Sequence, residues 1–188
     1  MIDKTMQFLQ EQLNGYLSQR YPGEPELAVL SGIANADGSP SDKIANKIAL
    51  TLINVERESV ASNSSARYRS DGDAMARITP PLNINLLILV SANFEGNYAD
   101  SLKTLSSVLR FFQAHPIFTR QTAAGIPDSL ERLTVEWTDM DLQSIYNLWS
   151  VLGGRYMPSV VYKARMIIIS DAWIADDVPV ITGTDIDV

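Results

Sequence analysis

Pro80-Pro81 leads into Leu82-Asn83-Ile84-Asn85-Leu86-Leu87-Ile88-Leu89-Val90. The first half of this run alternates apolar and polar residues, and the second half is apolar on both faces. Successive strand side chains point to opposite faces, so a strand apolar on both needs cover on both sides. This segment is therefore a strand that enters from the rim of a sheet and runs into its centre. A chain of 188 residues is long enough to bury such a core in one compact domain.

The flanking segments supply the other elements. Ile2, Met6, Leu9, Leu13 and Leu17 recur at helical spacing, weakened by Gly15 and ended by Tyr21-Pro22-Gly23-Glu24-Pro25. Leu27 to Ile33 is a short strand, Asn35 to Asp42 a Gly/Ser/Pro/Asp loop, and Lys47 to Val55 a strand with one buried face. Asp100 is a plausible cap for a helix carrying Leu102, Leu105, Val108, Leu109 and Phe112, stopped by His115-Pro116. After a loop from Thr119 to Pro127, Arg132 to Trp137 alternates as a strand. Asp139 or Asp141 caps a helix striped with Leu142, Ile145, Leu148, Trp149 and Leu152, closed by Gly153-Gly154. Ser159 to Ile169 is the last β-rich run. The order is α-β-β-β-α-β-α-β, an α+β fold with a mixed, mainly antiparallel sheet flanked by helices.

Two segments stand outside this pattern. Arg57 to Thr79 is polar and locally basic through Arg57, Arg67, Arg69 and Arg77, diluted by Glu56, Glu58, Asp71 and Asp73. So long a connection is either disordered or recruited for contact, as a solvated loop or as a docking loop for an acidic neighbour such as the acidic arm of another copy. After Ser170 the chain carries Asp171, Asp176, Asp177, Asp185 and Asp187 with no Lys or Arg. Trp173, Ile174, Val178, Val180, Ile181, Ile186 and Val188 lie among them, too many apolar side chains for a merely solvated tail. The expected organisation is a domain over residues 1–170 and an acidic-apolar arm over 171–188 that docks against something.

Composition narrows the function classes. A formal charge of −7 argues against nucleic acid as a bulk partner. With no cysteine there are no disulfides, thiolate metal sites or cysteine nucleophiles. The N-terminus lacks the basic start and apolar stretch of a signal peptide, and the longest apolar run is too short for a bilayer. Synthesis in the cytoplasm without membrane insertion is the expectation.

Little in the chain advertises chemistry. His115, the only histidine, is either catalytic with a partner that sequence does not place, or a helix-terminal residue complementing the dipole. Gly153-Gly154-Arg155 lacks the Gly-Lys-Ser/Thr of a phosphate loop and fits a helix C-cap. Asp71-Gly72-Asp73 lacks the later acidic ligands of a calcium loop. Neither a nucleophile elbow nor Ser-x-x-Lys occurs, though scattered carboxylates leave a small hydrolase open. Trp137, Trp149 and Tyr156 are expected in the core. No cofactor and no metal are implied.

Several blocks together carry a family likeness. The Pro80–Asn93 strand is followed by Tyr98, Leu102 and Leu105, then Phe111-Phe112-Gln113-Ala114-His115-Pro116-Ile117-Phe118. A second set is Leu133-Thr134-Val135-Glu136, Leu148-Trp149-Ser150-Val151-Leu152-Gly153 and Tyr156-Met157-Pro158-Ser159-Val160-Val161-Tyr162-Lys163-Ala164-Arg165. In this order, up to about Asp171, they resemble the tail terminator or cap proteins of contractile injection systems, of antifeeding-prophage and Photorhabdus virulence cassette type. The resemblance implies the phage tail-terminator fold. It also implies a structural, non-enzymatic role: a homo-hexameric ring on inner tube and sheath that ends their polymerisation in a phage tail-like particle, released or retained in the cell. Candidate interface residues are the four arginines of the connection with Trp173, Ile174, Asp176, Asp177, Val178, Val180 and Ile181. A monomeric adaptor or chaperone for one cargo is the alternative, distinguished by native mass.

Overall fold

The computed structural model describes residues 1–35, 37–39, 41–58, 67–71, 74–78, 83–168 and 174–179. In chain order the elements are α1 (Ile2–Arg20), β1 (Ala28–Leu30), β2 (Lys47–Arg57), β3 (Arg67–Asp71), β4 (Ala74–Ile78) and β5 (Asn83–Asn93), followed by α2 (Tyr98–Ala114), β6 (Ile117–Thr119), β7 (Leu130–Thr138), α3 (Leu142–Leu152), β8 (Ser159–Ile168) and β9 (Ile174–Pro179). The eight expected elements appear in the expected order. Four strands, β3, β4, β6 and β9, are additional.

Six strands form the main sheet in the order β1-β2-β5-β8-β7-β6, with β5 and β8 at its centre. Only β1 and β2 run parallel. Ile84, Leu86, Ile88 and Val90 of β5 enter one core with Met6, Leu9, Leu13 and Leu17 of α1 and Val108, Phe111 and Phe112 of α2. Leu89 points the other way, into a smaller core with Ile33, Ile44, Ala49, Val161 and Trp149 of α3. The apolar second half of β5 is thus buried on both faces. The first half departs from the rim reading, because Asn85 is only 3% exposed. Its amide donates to the Glu58 carboxylate at 2.9 Å, while Arg165 lies beside it in register and pairs with the same carboxylate. Charged side chains thus flank Asn85 on this face.

β1 is shorter than the Leu27 to Ile33 strand expected, and a side chain accounts for its edge. Asn14 of α1 accepts from the Ala28 amide and donates to the Ala28 carbonyl, both at 2.8 Å, occupying the positions of a further strand. A helix covering an edge in this way closes it to pairing. Ala28 is fully buried. Asn14→Ala therefore leaves its N–H without an acceptor, and urea denaturation should read a loss of about 2 kcal/mol, within the usual penalty for a buried orphan donor.

α2 is rotated relative to its expected stripe. Leu102 is exposed, and Ser101, Thr104 and Ser107 face inward with Val108, Phe111 and Phe112. Thr104 and Ser107 donate to carbonyls of the preceding turn, which lets small hydroxyl residues lie in a close helix contact. The Tyr21 hydroxyl meets Ser107 Oγ at 3.0 Å. The cap is Asn97 rather than Asp100, its side chain accepting from the Asp100 amide. α1 runs unbroken through Gly15.

Within Arg57 to Thr79, expected as a polar connection, the described residues are mostly strand. β2 continues through Arg57, and Arg67 to Ile78 forms an antiparallel hairpin with Asp71 paired to Ala74. Gly72-Asp73, the two residues between them in sequence, are of a type favoured in two-residue hairpins. β9 adds to the free side of β4, making a second sheet in the order β3-β4-β9.

Candidate assembly surfaces

The titratable groups are arranged for structure. His115 is the C-cap of α2, with Nδ1 3.1 Å from the Phe111 carbonyl oxygen and its ring against Phe111. Burial pushes the Tyr162 phenol above its usual pKa. Asp141, the cap of α3, is held below the carboxylate range by the Ser144 amide and hydroxyl. No group of His, Cys, Asp and Glu able to hold a metal occurs among the described residues. Among them, too, no helix is long and apolar enough to cross a membrane.

Three surfaces remain. The first is the half of the sheet's second face that α3 leaves bare. Lys163 Nζ lies 3.2 Å from Glu56, Arg165 Nε 3.2 Å from Glu58 and Arg165 Nη2 3.4 Å from Glu136. Sequence reading missed this lattice. Its available signal was Lys163 and Arg165 two apart inside an otherwise apolar strand, hence on one face. Partly exposed pairs add little stability, so their main effect is to keep that face wet.

The second surface is α3 with its neighbours. The helix carries no charged residue, and Leu142 and Val151 are each 85% exposed. Tyr146 and Tyr156 are exposed as well, and so is Trp137, at 62%. Of the three aromatics expected in the core, only Trp149 lies there. Leu142 likewise falls outside the stripe, leaving Ile145, Leu148, Trp149 and Leu152 to face the sheet. Trp137 stands near the end of β7 beyond the reach of β6, which covers only Arg132 to Thr134. A cleft of about 150 Å³ lies under α3, lined by Leu89, Met140, Ile145, Leu148, Trp149 and Val161. Gly153 ends the helix in a left-handed conformation, φ 69°. Gly154 comes so close to Ile33 that a Cβ there would stand 2.3 Å from Ile33 Cγ2.

The third surface is the small sheet. Arg57 ends β2, exposed; Arg67 and Arg69 lie on β3 and Arg77 on β4. Ile174, Asp176, Asp177 and Val178 lie on β9. Trp173, Val180 and Ile181 fall outside the described residues. Met75 pairs with Val178, Ala76 with Asp177 and Ile78 with Ile174. The basic connection and the acidic arm, expected in sequence to meet between copies, thus meet in one sheet of a single chain.

Residues 4–183 match the family described as the Pvc16 N-terminal domain. No curated protein matches significantly. Among solved structures, the fold is similar to the PVC sheath/tube terminator of an extracellular contractile injection system in its extended state. That likeness has 19% identity and a TM-score of 0.60, over 100% of this chain and 63% of the other. It is also similar to the tube-terminating cap of the anti-feeding prophage, at 15% identity and TM-score 0.60, over 100% of this chain and 61% of that one. The chain spans about three fifths of the length of both.

Proposed function

The chain belongs to the Pvc16 N-terminal domain family, and from that membership we propose that it caps a contractile injection particle. In this reading copies close into a six-fold ring on the last layers of inner tube and sheath and stop their growth. The role is structural, carried by contacts rather than catalysis. The particle is of the phage tail-like kind, assembled in the cytoplasm and able to act outside the cell. The supporting observation is that the whole chain shares its fold with terminators of two such systems.

The physical requirement for a cap is a contact that closes. Head-to-tail packing of identical surfaces gives a ring when the rotation closes and an open filament when it does not. Residues 1–170 serve as the ring's body. Arg57 at the end of β2 and the hairpin arginines Arg67, Arg69 and Arg77, with Trp173, Ile174, Asp176, Asp177, Val178, Val180 and Ile181 of the arm, serve as the contact set. The test is removal of the chain from the producing cell, with particle lengths measured by electron microscopy. Tubes and sheaths of unregulated length are expected. A length distribution unchanged by its loss, or intact particles without it at the end distal to the baseplate, would refute the role.

A further inference from the structure

We infer that β9 is an exchangeable strand: in the assembled ring it leaves its own β4 and pairs with β4 of the adjacent copy. The inference rests on the ring reading above and specifies the contact that closes it. Among the described strands β9 bonds only to β4 and takes no place in the six-stranded sheet. Its departure breaks that one strand pairing, and an identical strand from a neighbour restores the same backbone bonds in the same register. Each copy then donates one strand and accepts one, the head-to-tail arrangement that closes a ring.

Reach and charge support this occupant. Only residues 169–173 separate β8 from β9. A stretch from Ile168 to Ile174 spans at most about 20 Å, so β9 reaches a β4 close to the end of its own β8 and no farther. Short hinges of this kind favour exchange between copies. Copies that each carry −7 repel one another. The arm holds aspartates and no cation, while the hairpin carries Arg67, Arg69 and Arg77 against Asp71 and Asp73, so the contact joins a strongly acidic piece to a weakly basic one, with Arg77 on the strand next to β9. Within one chain, high effective concentration holds β9 at home; the ring supplies an equally close acceptor.

The chain has no cysteine, so introduced thiols are the only ones present. Met75→Cys and Val178→Cys oppose each other in the register, as do Ala76→Cys and Asp177→Cys. Adjacent antiparallel pairs alternate between wide and narrow, so the two pairs together sample both spacings. The two single variants of a pair are mixed, assembled with tube and sheath, oxidised and run on a non-reducing gel; the double variant is treated likewise. Exchange predicts covalent dimers from mixed singles, absent from either single alone, and a ladder beyond dimer from the double variant. An assembled fraction that yields only intrachain bonds, or none, overturns exchange and leaves the cap reading standing. Absence of any assembled fraction by native mass overturns both.

Discussion

A chain lacking residues 173–188 is expected to fold and to cap poorly. The described core residues all lie between Met6 and Ile168, so the deletion removes none of them. The melting midpoint should stay within about 4 °C of the full chain, since ~1 kcal/mol moves a domain of this size by 2–4 °C. Occupancy of particle ends should fall about tenfold or more, because losing only ~1.4 kcal/mol of contact energy costs a decade in affinity. Circular dichroism and counting of capped ends by electron microscopy give the two readings. Normal occupancy in the truncated chain would remove the arm from the interface and leave closure to other surfaces.

The second large effect concerns how the helices meet the sheet. Leu13 of α1 is fully buried in the main core. Leu13→Ala should cost about 2–5 kcal/mol through lost transfer energy and the cavity left behind. The midpoint should drop by roughly 4–20 °C. On α2, Leu102→Ala should change stability by no more than about 0.5 kcal/mol, the usual scale for an exposed site. Sequence periodicity puts both leucines in the core, so the pair of measurements tests the rotation of α2 directly. A Leu102→Ala loss matching that at Leu13 would contradict it.

That rotation shows where one-dimensional reading ends. The α1 stripe and the doubly buried half of β5 were legible, because long runs of large apolar residues leave one way to be covered. The face of α2 was not. Its inward side includes Ser101, Thr104 and Ser107 beside Val108, Phe111 and Phe112, and Thr104 and Ser107 count as polar until their hydroxyls are seen satisfied by the preceding turn. β6 is three residues long, too short for any period to register. β3 runs Arg67, Tyr68, Arg69 and Ser70 without an apolar alternation, and β4, with Ala74, Ala76 and Ile78 at alternate positions, is only five residues long, so little marked the hairpin. The candidate contact set was legible as two pieces, a basic connection and an acidic arm. Their meeting was anticipated only between copies; the pairing within one chain was not, since register between β4 and β9 is a property of chain geometry. Trp137 and Tyr156 were misjudged for a related reason: large aromatic residues usually complete a core, and here β7 carries Trp137 past its boundary while Tyr156 lies in the connection between α3 and β8.

α3 has a consequence for the free subunit. Its outward surface sets Leu142, Tyr146 and Val151 among uncharged Gln143, Asn147 and Ser150, with nothing charged to refuse neighbouring molecules. What keeps two unassembled copies apart is long-range repulsion between like-charged bodies, which fades beyond about 8 Å at physiological ionic strength. Colloidal behaviour is therefore governed by the solvent as much as by the chain: dilute buffer holds the copies in dispersion, and added salt lets their greasy flanks touch.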